Sequence, residues 1–232
     1  LQQHDLLFSV GGDLFTMSLP SDVEPMPHGL TIVHLDVDPW EVGKNYPAKV
    51  GIVGDPKATL PELALALRRR FKGGRHPEAQ RRIEESEKRR AQTIDDLKKR
   101  ALAASGRQPI APLALIHALA ESLPPDGVVV DESISSGGGL RELLRCQDPQ
   151  SFFGLRGGGI GWGLPAALGV KLALPRRPVV ALVGDGSAMY TNQAFWTAAH
   201  NGLGVVFVII NNRSYRILKQ RTHALKGFSA QD

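Results

Sequence analysis

Two runs of β-branched and apolar residues constrain the fold of this chain more than any other feature. Val179–Val183 and Val205–Ile210 are each long enough for one strand, and the segment between them predicts a helix that extends to about His200. Two near-continuous apolar strands joined by one helix are typical of a parallel βαβ unit with buried strands. The runs therefore predict an open α/β sheet, a fold that binds ligands at the carboxyl ends of its strands.

Glycine and polar residues follow both strands at that edge. The first strand leads into a predicted tight turn, Gly184–Ser187 (GDGS), and the second ends on Asn211-Asn212. We therefore expect Asp185 and Asn212 to lie close together. Their carboxylate and amide oxygens suit Mg²⁺ or Ca²⁺, and the start of the following helix favours a phosphate. Each motif alone would be an ordinary turn or strand end, but together they predict a metal-bridged diphosphate.

A GDG motif followed about two dozen residues later by NN resembles the fingerprint of the thiamine diphosphate (ThDP)-dependent decarboxylases and carboligases. This superfamily includes pyruvate decarboxylase, acetolactate synthase and benzoylformate decarboxylase. The resemblance implies that Asp185, Asn212 and the backbone carbonyl of Ser214 hold the Mg²⁺ that anchors the diphosphate. It also assigns the following residues to cofactor binding: Gly184, Asp185, Gly186, Ser187, Asn212 and Tyr215.

The glycine-rich segment 153–169 permits close approach of a flat ligand to the backbone, with a helix-packing interface as the alternative. By resemblance, this segment grips the aminopyrimidine ring of ThDP. The carbonyl of Gly158 matches the acceptor for the 4′-amino group, and Ile160 matches the apolar wedge that keeps ThDP bent. Bending lets the amino group act as an intramolecular base, so both residues count as catalytic as well as cofactor-binding.

Two further segments complete the predicted site. The hydroxyl-rich loop after the strand Val128–Asp131 is a second candidate for anion binding. The resemblance places the Ser135 hydroxyl at the diphosphate, and a helix N-cap is the alternative. Ile217 and Leu218, in a helix expected to begin at Tyr215, match apolar positions that shape the substrate pocket, with core packing as the alternative.

The N-terminal part of the chain predicts a second α/β unit. Strands at 6–10, 31–36 and 51–55 precede a helix, Pro56–Phe71, with an apolar face of Leu60, Leu63 and Leu67. This order resembles the second half of the middle domain of the same superfamily. Gly11-Gly12 is an alternative nucleotide loop, but a GxGxxG motif is lacking and these residues give no argument for a flavin. A Pro-rich surface stretch is expected over 18–29.

These elements predict two Rossmann-like, doubly wound parallel-sheet α/β domains, and the resemblance implies that they are part of a three-domain enzyme. Residues 1–72 are interpreted as the C-terminal part of the middle domain and 109–232 as the diphosphate-binding domain, truncated at its C-terminus. Residues 73–108 form the charged helical linker. The superfamily's N-terminal pyrimidine-binding domain, with its glutamate, has no counterpart here. We therefore expect a longer protein, or a second subunit, to supply it.

Charge and composition restrict the other function classes. The net charge is +5, but the cations are concentrated between Arg68 and Arg107, where acidic residues alternate with them and aromatic residues are rare. This pattern favours a solvated helix with short-range ion pairs over a nucleic-acid surface. A single cysteine, Cys146, argues against a disulfide framework and fits the cytoplasm. We expect no membrane partner, because no apolar run is long enough to span one.

The leading hypothesis is a ThDP- and Mg²⁺-dependent, non-oxidative 2-oxo-acid decarboxylase similar to benzoylformate decarboxylase, since the loop after Val128–Asp131 resembles that type. An acetolactate synthase-like carboligase and a truncated, non-catalytic cofactor-binding paralogue are the alternatives. A pyridine-nucleotide protein is disfavoured by the lack of GxGxxG with a following acidic residue. By resemblance we expect a homodimer or homotetramer.

Overall fold

Parallel strand pairing organises both halves of the chain in the computed structural model, which describes residues 1–12, 14, 24–71 and 77–229. The chain divides into two compact units, Leu1–Ile83 together with the residues from Ala224 onward, and Glu84–His223. Each unit contains its own parallel sheet, which confirms the prediction of two parallel-sheet α/β domains. The predicted linker start at Gly73-Gly74 and the first half of the Pro-rich stretch lie outside the described residues.

The first unit contains a three-stranded sheet whose central strand is the most buried. Its strands are β1 (Leu6–Val10), β2 (Thr31–Asp36) and β3 (Val50–Val53), paired in the order β1-β2-β3. Helix α1 (Pro56–Arg70) follows, and the Asp55 side chain caps it by accepting a hydrogen bond from the N–H of Lys57. The expected apolar face of α1 is not buried, since Leu60 and Leu67 remain exposed.

A long charged helix, α2 (Pro77–Ala103), lies in the sequence between the strands of the first sheet and those of the second. Ala101 is its one buried residue. Ion pairs within the helix include Asp95–Lys99 at 2.6 Å and Glu78–Arg81 at 2.8 Å. The structure thus shows the predicted solvated helix with ion pairs between residues three and four positions apart.

The second unit contains a four-stranded parallel sheet in the order β5-β4-β6-β7. Its strands are β4 (Val128–Glu132), β5 (Phe152–Gly154), β6 (Val179–Gly184) and β7 (Val205–Ile210). Its helices are α3 (Pro112–Ser122), α4 (Leu140–Leu143), α5 (Gly163–Ala173), α6 (Asp185–Tyr190) and α7 (Gln193–His200), followed by the part of α8 (Arg216–Ser229) that extends to His223. The strand that follows β4 in sequence, β5, lies at one edge of the sheet, and the strand that follows β6, β7, lies at the opposite edge. A switch point therefore lies between β4 and β6.

Side chains of the central strands alternate between two apolar clusters, one on each face of this sheet. Val130 and Val183 pack with Leu164 of α5 on one face. Val129 and Leu182 pack with other apolar side chains, from α3 and α4, on the opposite face. Because each face is covered by helices, β4 and β6 are buried on both sides, as their near-continuous apolar sequences predict.

Three local features differ from the sequence-based expectations. The short strand β5 and helix α4 were not predicted. Strand β7 was predicted to be buried, but it is the last strand of the sheet in the described part of the chain, and Val206 is 60% exposed. The single helix predicted after β6 is two helices, interrupted at Thr191 and Asn192, and Asp185 already begins the first helix instead of lying in a turn.

The end of the second unit opposite the strand carboxyl ends is held by Arg177. This half-buried guanidinium donates to the carbonyl of Asp126 at 2.6 Å and pairs with the carboxylate of Asp148 at 3.2 Å. Burial of Asp148 acts to raise its pKa, but the N–H of Gln150 and the charge of Arg177 outweigh this effect and lower the pKa. Arg177 thus connects the turns that precede β4, β5 and β6.

We predict that Arg177→Ala lowers the free energy of unfolding of this unit by about 0.5–1.5 kcal/mol, because the exposed Asp126 carbonyl exchanges a charge-assisted hydrogen bond for one to water. Urea denaturation followed by circular dichroism measures the change. The neighbouring, exposed Arg176 provides the control, and Arg176→Ala should have little effect. The ion pair stabilises above the ordinary aspartate pKa and is lost as the pH falls through the lowered value. The difference in stability between the wild type and Arg177→Ala should therefore narrow below about pH 4. Equal stability of both variants at neutral pH contradicts the prediction.

Candidate functional site

The predicted site residues line two adjoining clefts at the carboxyl ends of β4, β6 and β7. The smaller cleft has a volume of about 50 Å³ and the larger of about 1060 Å³. The smaller one is lined by Ser135, Ile160, Gly184, Asp185, Gly186, Ser187, Asn212, Ser214, Tyr215 and Ile217. The larger one is lined by Gly158, Ile160, Ile217 and Leu218. Every residue predicted for the site thus borders one cleft or both.

The two side chains among the three predicted metal ligands, Asp185 and Asn212, are oriented by backbone N–H groups. Gly184 pairs with Ile210, so β6 and β7 end side by side. Oδ2 of Asp185 accepts a hydrogen bond from the N–H of Arg213 at 3.1 Å. Oδ1 of Asn212 accepts from the N–H of Ser214 at 3.0 Å. The Asp185 carboxylate retains acceptor sites for a cation. Oδ1 of Asn212 also accepts from the Ser214 hydroxyl at 3.4 Å, and rotation of that hydroxyl would free a lone pair for a cation.

Arg213 gives this turn its shape through a left-handed backbone conformation with φ of 54°. For a residue with a Cβ atom this conformation costs on the order of 1–2 kcal/mol. Its N–H donates to Asp185 and also to Oδ1 of Asn211, at 3.0 Å. Unusual backbone conformations persist where the surrounding structure fixes them. Here the conformation of Arg213 directs its N–H group at the carboxylate of Asp185, a predicted metal ligand.

The loop after β4 contacts the predicted metal site through Ser135. Its hydroxyl oxygen accepts a hydrogen bond from the Asn212 side-chain amide at 3.4 Å. The alternative role for Ser135 as a helix N-cap is wrong, since α4 begins at Leu140 and Gly139 occupies its N-cap position. Ser135 is therefore placed where its hydroxyl and the Asn212 amide face the same small cleft.

The GDGS segment tolerates side chains unequally. A Cβ atom on Gly186 would lie 2.8 Å from Cε1 of Tyr215, whereas a Cβ atom on Gly184 would meet no atom within 4 Å. Gly186 thus allows Tyr215 to close over the segment. Helix α6 is only six residues long, so its macrodipole contributes little. Binding of a diphosphate here would depend instead on individual N–H and hydroxyl groups and on the metal.

The predicted metal ligands fit Mg²⁺ bound together with ThDP. The described residues contain no group of three or more His, Cys, Asp or Glu side chains that could hold a metal ion. One carboxylate, one amide oxygen and one carbonyl form the small protein ligand set with which Mg²⁺ binds phosphates. The smaller cleft alone is too small for a cofactor of this size, but the larger one, at about 1060 Å³, lies at the upper limit of ordinary ligand pockets.

The predicted ring-binding side of the site is formed by the glycine-rich loop before α5. Gly158 has a φ of +73° and borders the larger cleft, with open space where a Cβ atom would be. Ile160 borders both clefts, as does Ile217. Leu218 is 52% exposed, so the alternative that it packs in the core is wrong. Ile160 and Ile217 thus lie where the two clefts adjoin, and Leu218 borders the larger cleft alone.

Glu132, the last residue of β4, borders both clefts but was given no role from the sequence. It is 1% exposed, and its carboxylate accepts hydrogen bonds from the N–H groups of Gly161 and Gly163. The sequence does contain a signal for the burial of Glu132. Val128, Val130 and Glu132 alternate along one strand, so a period of two places the carboxylate on the buried face that packs against α5.

No helix in the described ranges combines the length and the apolar sequence needed to cross a membrane.

Comparisons with known proteins identify the family of both parts of the chain. The central-domain model of the thiamine pyrophosphate enzymes matches residues 1–63, and the model of their C-terminal TPP-binding domain matches residues 136–231. Thiamine pyrophosphate is another name for ThDP. The second match contains the GDG motif, the NN motif and the glycine-rich loop.

Relatives and solved structures of the same kind extend over almost the whole chain. Benzoylformate decarboxylase of Pseudomonas aeruginosa is 33% identical over 94% of this chain and 38% of its own length. Acetolactate synthase of Mycobacterium bovis is 32% identical over 95% of this chain and 35% of its own. The ThDP-dependent 4-hydroxybenzoylformate decarboxylase of Rhodococcus jostii RHA1 superposes with a TM-score of 0.72 at 26% identity, covering 97% of this chain and 39% of that structure.

The chain thus spans somewhat over a third of the relatives it matches. The two domain models follow each other in the order in which the two sheets occur, and the relatives include decarboxylases and synthases. This chain belongs to the thiamine diphosphate-dependent enzymes and carries their central and C-terminal, cofactor-binding domains.

Proposed function

We propose that the protein binds ThDP with Mg²⁺ and catalyses the non-oxidative decarboxylation of a 2-oxo acid. The observation that carries this proposal is the position of Asp185 and Asn212 at the ends of the neighbouring strands β6 and β7. Asp185, Asn212 and the carbonyl of Ser214 would hold the metal. Ser135 and Ser187 would contribute hydroxyl groups to the diphosphate.

Bound ThDP supplies the electron sink for the bond pair that is released when a 2-oxo acid loses CO₂. In the proposal, the carbonyl of Gly158 accepts a hydrogen bond from the aminopyrimidine, and Ile160 fixes the angle between the cofactor's rings. Ile217 and Leu218 would shape the substrate pocket and exclude water from the reacting carbon.

The larger cleft supports an anionic substrate with an apolar body. Three arginines border it, whereas Asp131 and the hydrogen-bonded Glu132 are its acidic residues. Three guanidinium groups against two carboxylates leave a small excess of positive charge, which attracts an anionic substrate. Aromatic side chains line the same cleft, which favours an aryl 2-oxo acid, as the names of the relatives also suggest. The basic residues are Arg141, Arg156 and Arg221, and the aromatic ones are Phe152, Phe153 and Trp162.

An acetolactate synthase-like carboligation is the second candidate, favoured by the 32% identity to the Mycobacterium bovis enzyme. A non-catalytic cofactor-binding paralogue is the third. Incubating the full-length protein, ThDP and Mg²⁺ with benzoylformate or pyruvate separates them. Release of an aldehyde supports decarboxylation, formation of acetolactate supports carboligation, and cofactor binding without turnover of either acid supports the paralogue.

The proposal includes an assembly and a location. We propose a cytoplasmic homodimer or homotetramer in which the pyrimidine-binding domain comes from another region of the protein or from a second subunit. Neither nucleic acid nor a membrane is proposed as a partner. Cys146 is exposed and free, which suits a reducing compartment.

We predict that Asp185→Ala abolishes Mg²⁺-dependent binding of ThDP, because it removes the carboxylate from the proposed metal ligands. Calorimetric titration of ThDP with and without Mg²⁺ measures this. Asp126→Ala is the matched control, since Asp126 is exposed in the turn before β4 at the opposite end of the sheet. Unchanged Mg²⁺-dependent affinity in Asp185→Ala would reject the metal assignment.

We predict that Ile160→Ala lowers kcat more than it lowers the affinity for ThDP, because the proposed wedge orients the cofactor and contributes little to holding its diphosphate. A misplacement of about 1 Å in such a geometry can cost on the order of 100-fold in rate. Steady-state kinetics and cofactor titration of the same preparation separate the two effects. An unchanged kcat argues against the wedge role.

A further inference from the structure

Glu132 is a buried carboxylate whose two oxygens are each bound by a backbone N–H group. Oε1 accepts from the N–H of Gly161 at 2.6 Å, and Oε2 accepts from the N–H of Gly163 at 2.5 Å. In the part of the chain that the structure describes, no cationic side chain forms an ion pair with it. The carboxylate lies beside the first turn of α5, which begins at Gly163, and there the free N–H groups of the helix favour a negative charge.

A carboxylate at this position is expensive for the fold. Removing an ion from water costs several kcal/mol, and well-packed apolar residues are often at least as stable as buried ionic groups. Val128 and Val130, which share the same face of β4, show that this face otherwise packs apolar side chains against α5. Burial of Glu132 therefore needs a reason other than core packing.

The segment that Glu132 binds is held from both sides. The carbonyl of Gly161 accepts a hydrogen bond from the Thr191 hydroxyl at 2.8 Å, and Gly161 has a φ of +93°. A Cβ atom on Gly161 would lie 2.6 Å from Cβ of Tyr190, and one on Gly163 would lie 2.8 Å from Oε2 of Glu132. Glycines are therefore required at both positions for this close approach.

The glycines in the middle of the loop are less closely surrounded. Gly157, Gly158 and Gly159 each have open space where a Cβ atom would be. At its start the loop is held by the N–H of Leu155, which donates to the carbonyl of Asp131 at 3.3 Å. Its other end, directly after Ile160, is the end that Glu132 and Thr191 hold. Ile160 borders both clefts and directly precedes Gly161. Because Glu132 binds the N–H of Gly161, it also affects where the Ile160 side chain lies.

We propose that Glu132 is a positioning residue that fixes Gly161 to Gly163 and thereby sets the position of Ile160 against the bound cofactor. This inference rests on the proposed function, because Ile160 is the wedge in that proposal. Glu132 acts through the backbone of the loop and needs no contact with substrate. Its loss should therefore affect turnover more than cofactor affinity.

The test compares Glu132→Gln with Glu142→Gln in the full-length protein. Glutamine keeps the size of Glu132 but presents one N–H₂ group to a backbone N–H, which removes one of the two hydrogen bonds. Glu142 is an exposed residue of α4 in the same unit and serves as the control. Glu132→Asp, which keeps the charge but shortens the side chain, gives a second, milder variant in case the amide variant does not fold.

The first readout uses no cofactor. Hydrogen–deuterium exchange of the segment 157–164 should become faster in Glu132→Gln, to a smaller extent in Glu132→Asp, and not in the control. Unchanged exchange in both Glu132 variants overturns the proposal, whether or not the protein proves to be a decarboxylase.

The second readout uses ThDP, Mg²⁺ and the 2-oxo acid that the wild type turns over. We expect kcat to fall about tenfold or more in Glu132→Gln, with a change in the ThDP dissociation constant of less than about threefold, as for a misplaced reacting geometry. Faster exchange with an unchanged kcat overturns the positioning role. Absence of ThDP binding by the wild type contradicts the proposed function instead, and the exchange readout still tests the contact itself.

A double-mutant cycle tests whether Glu132 acts through Ile160. Residues that act in series show non-additive effects. We expect Glu132→Gln to lower kcat much less in the Ile160→Ala background than in the wild type. Fully additive losses would show that Glu132 affects turnover by another route and would overturn this proposal.

Discussion

The parallel register of β4, β6 and β7 is the constraint on which the rest of the site depends. Glu132 pairs with Val183, and Gly184 pairs with Ile210, so the three strands end at nearly the same level. Hydrogen bonding in a sheet fixes this level to within one residue, because a slip of one position would move every side chain to the opposite face. Residues distant in sequence are therefore brought together whatever the connecting helices do.

This constraint explains which parts of the molecule the sequence could predict. The strand limits at Thr31–Asp36 and Val205–Ile210 follow from β-branched runs, and the site residues follow from what lies beyond the strand ends. The exposure of β7 could not be read from the same pattern, because an apolar run does not reveal whether a further strand or helix covers it. Strand β5 has only three residues, too few for a periodic pattern.

Tertiary contacts explain the remaining differences. The helix predicted through His200 breaks at Thr191, whose hydroxyl is bonded to the carbonyl of Gly161, thirty positions earlier in the chain. Glu132 likewise depends on N–H groups far along the chain. Local propensity describes neither contact, since both partners are set by how α5 packs on the sheet. Alternation along β4 would have placed Glu132 in the core, but not shown what it binds.

The two sides of the site therefore differ in how firmly the backbone fixes their residues. Asp185 and Asn212 stand at the ends of hydrogen-bonded strands, so little further ordering is needed to place them. The loop with Ile160 contains several glycines with positive φ, and such residues lose the most conformational entropy on folding. A hydrophobic residue at Glu132 would pack against α5 but would leave the N–H groups of Gly161 and Gly163 unpaired in the interior, at a cost of about 1–3 kcal/mol each. The carboxylate satisfies both groups with one side chain, which is a physical reason for a charge at this buried position.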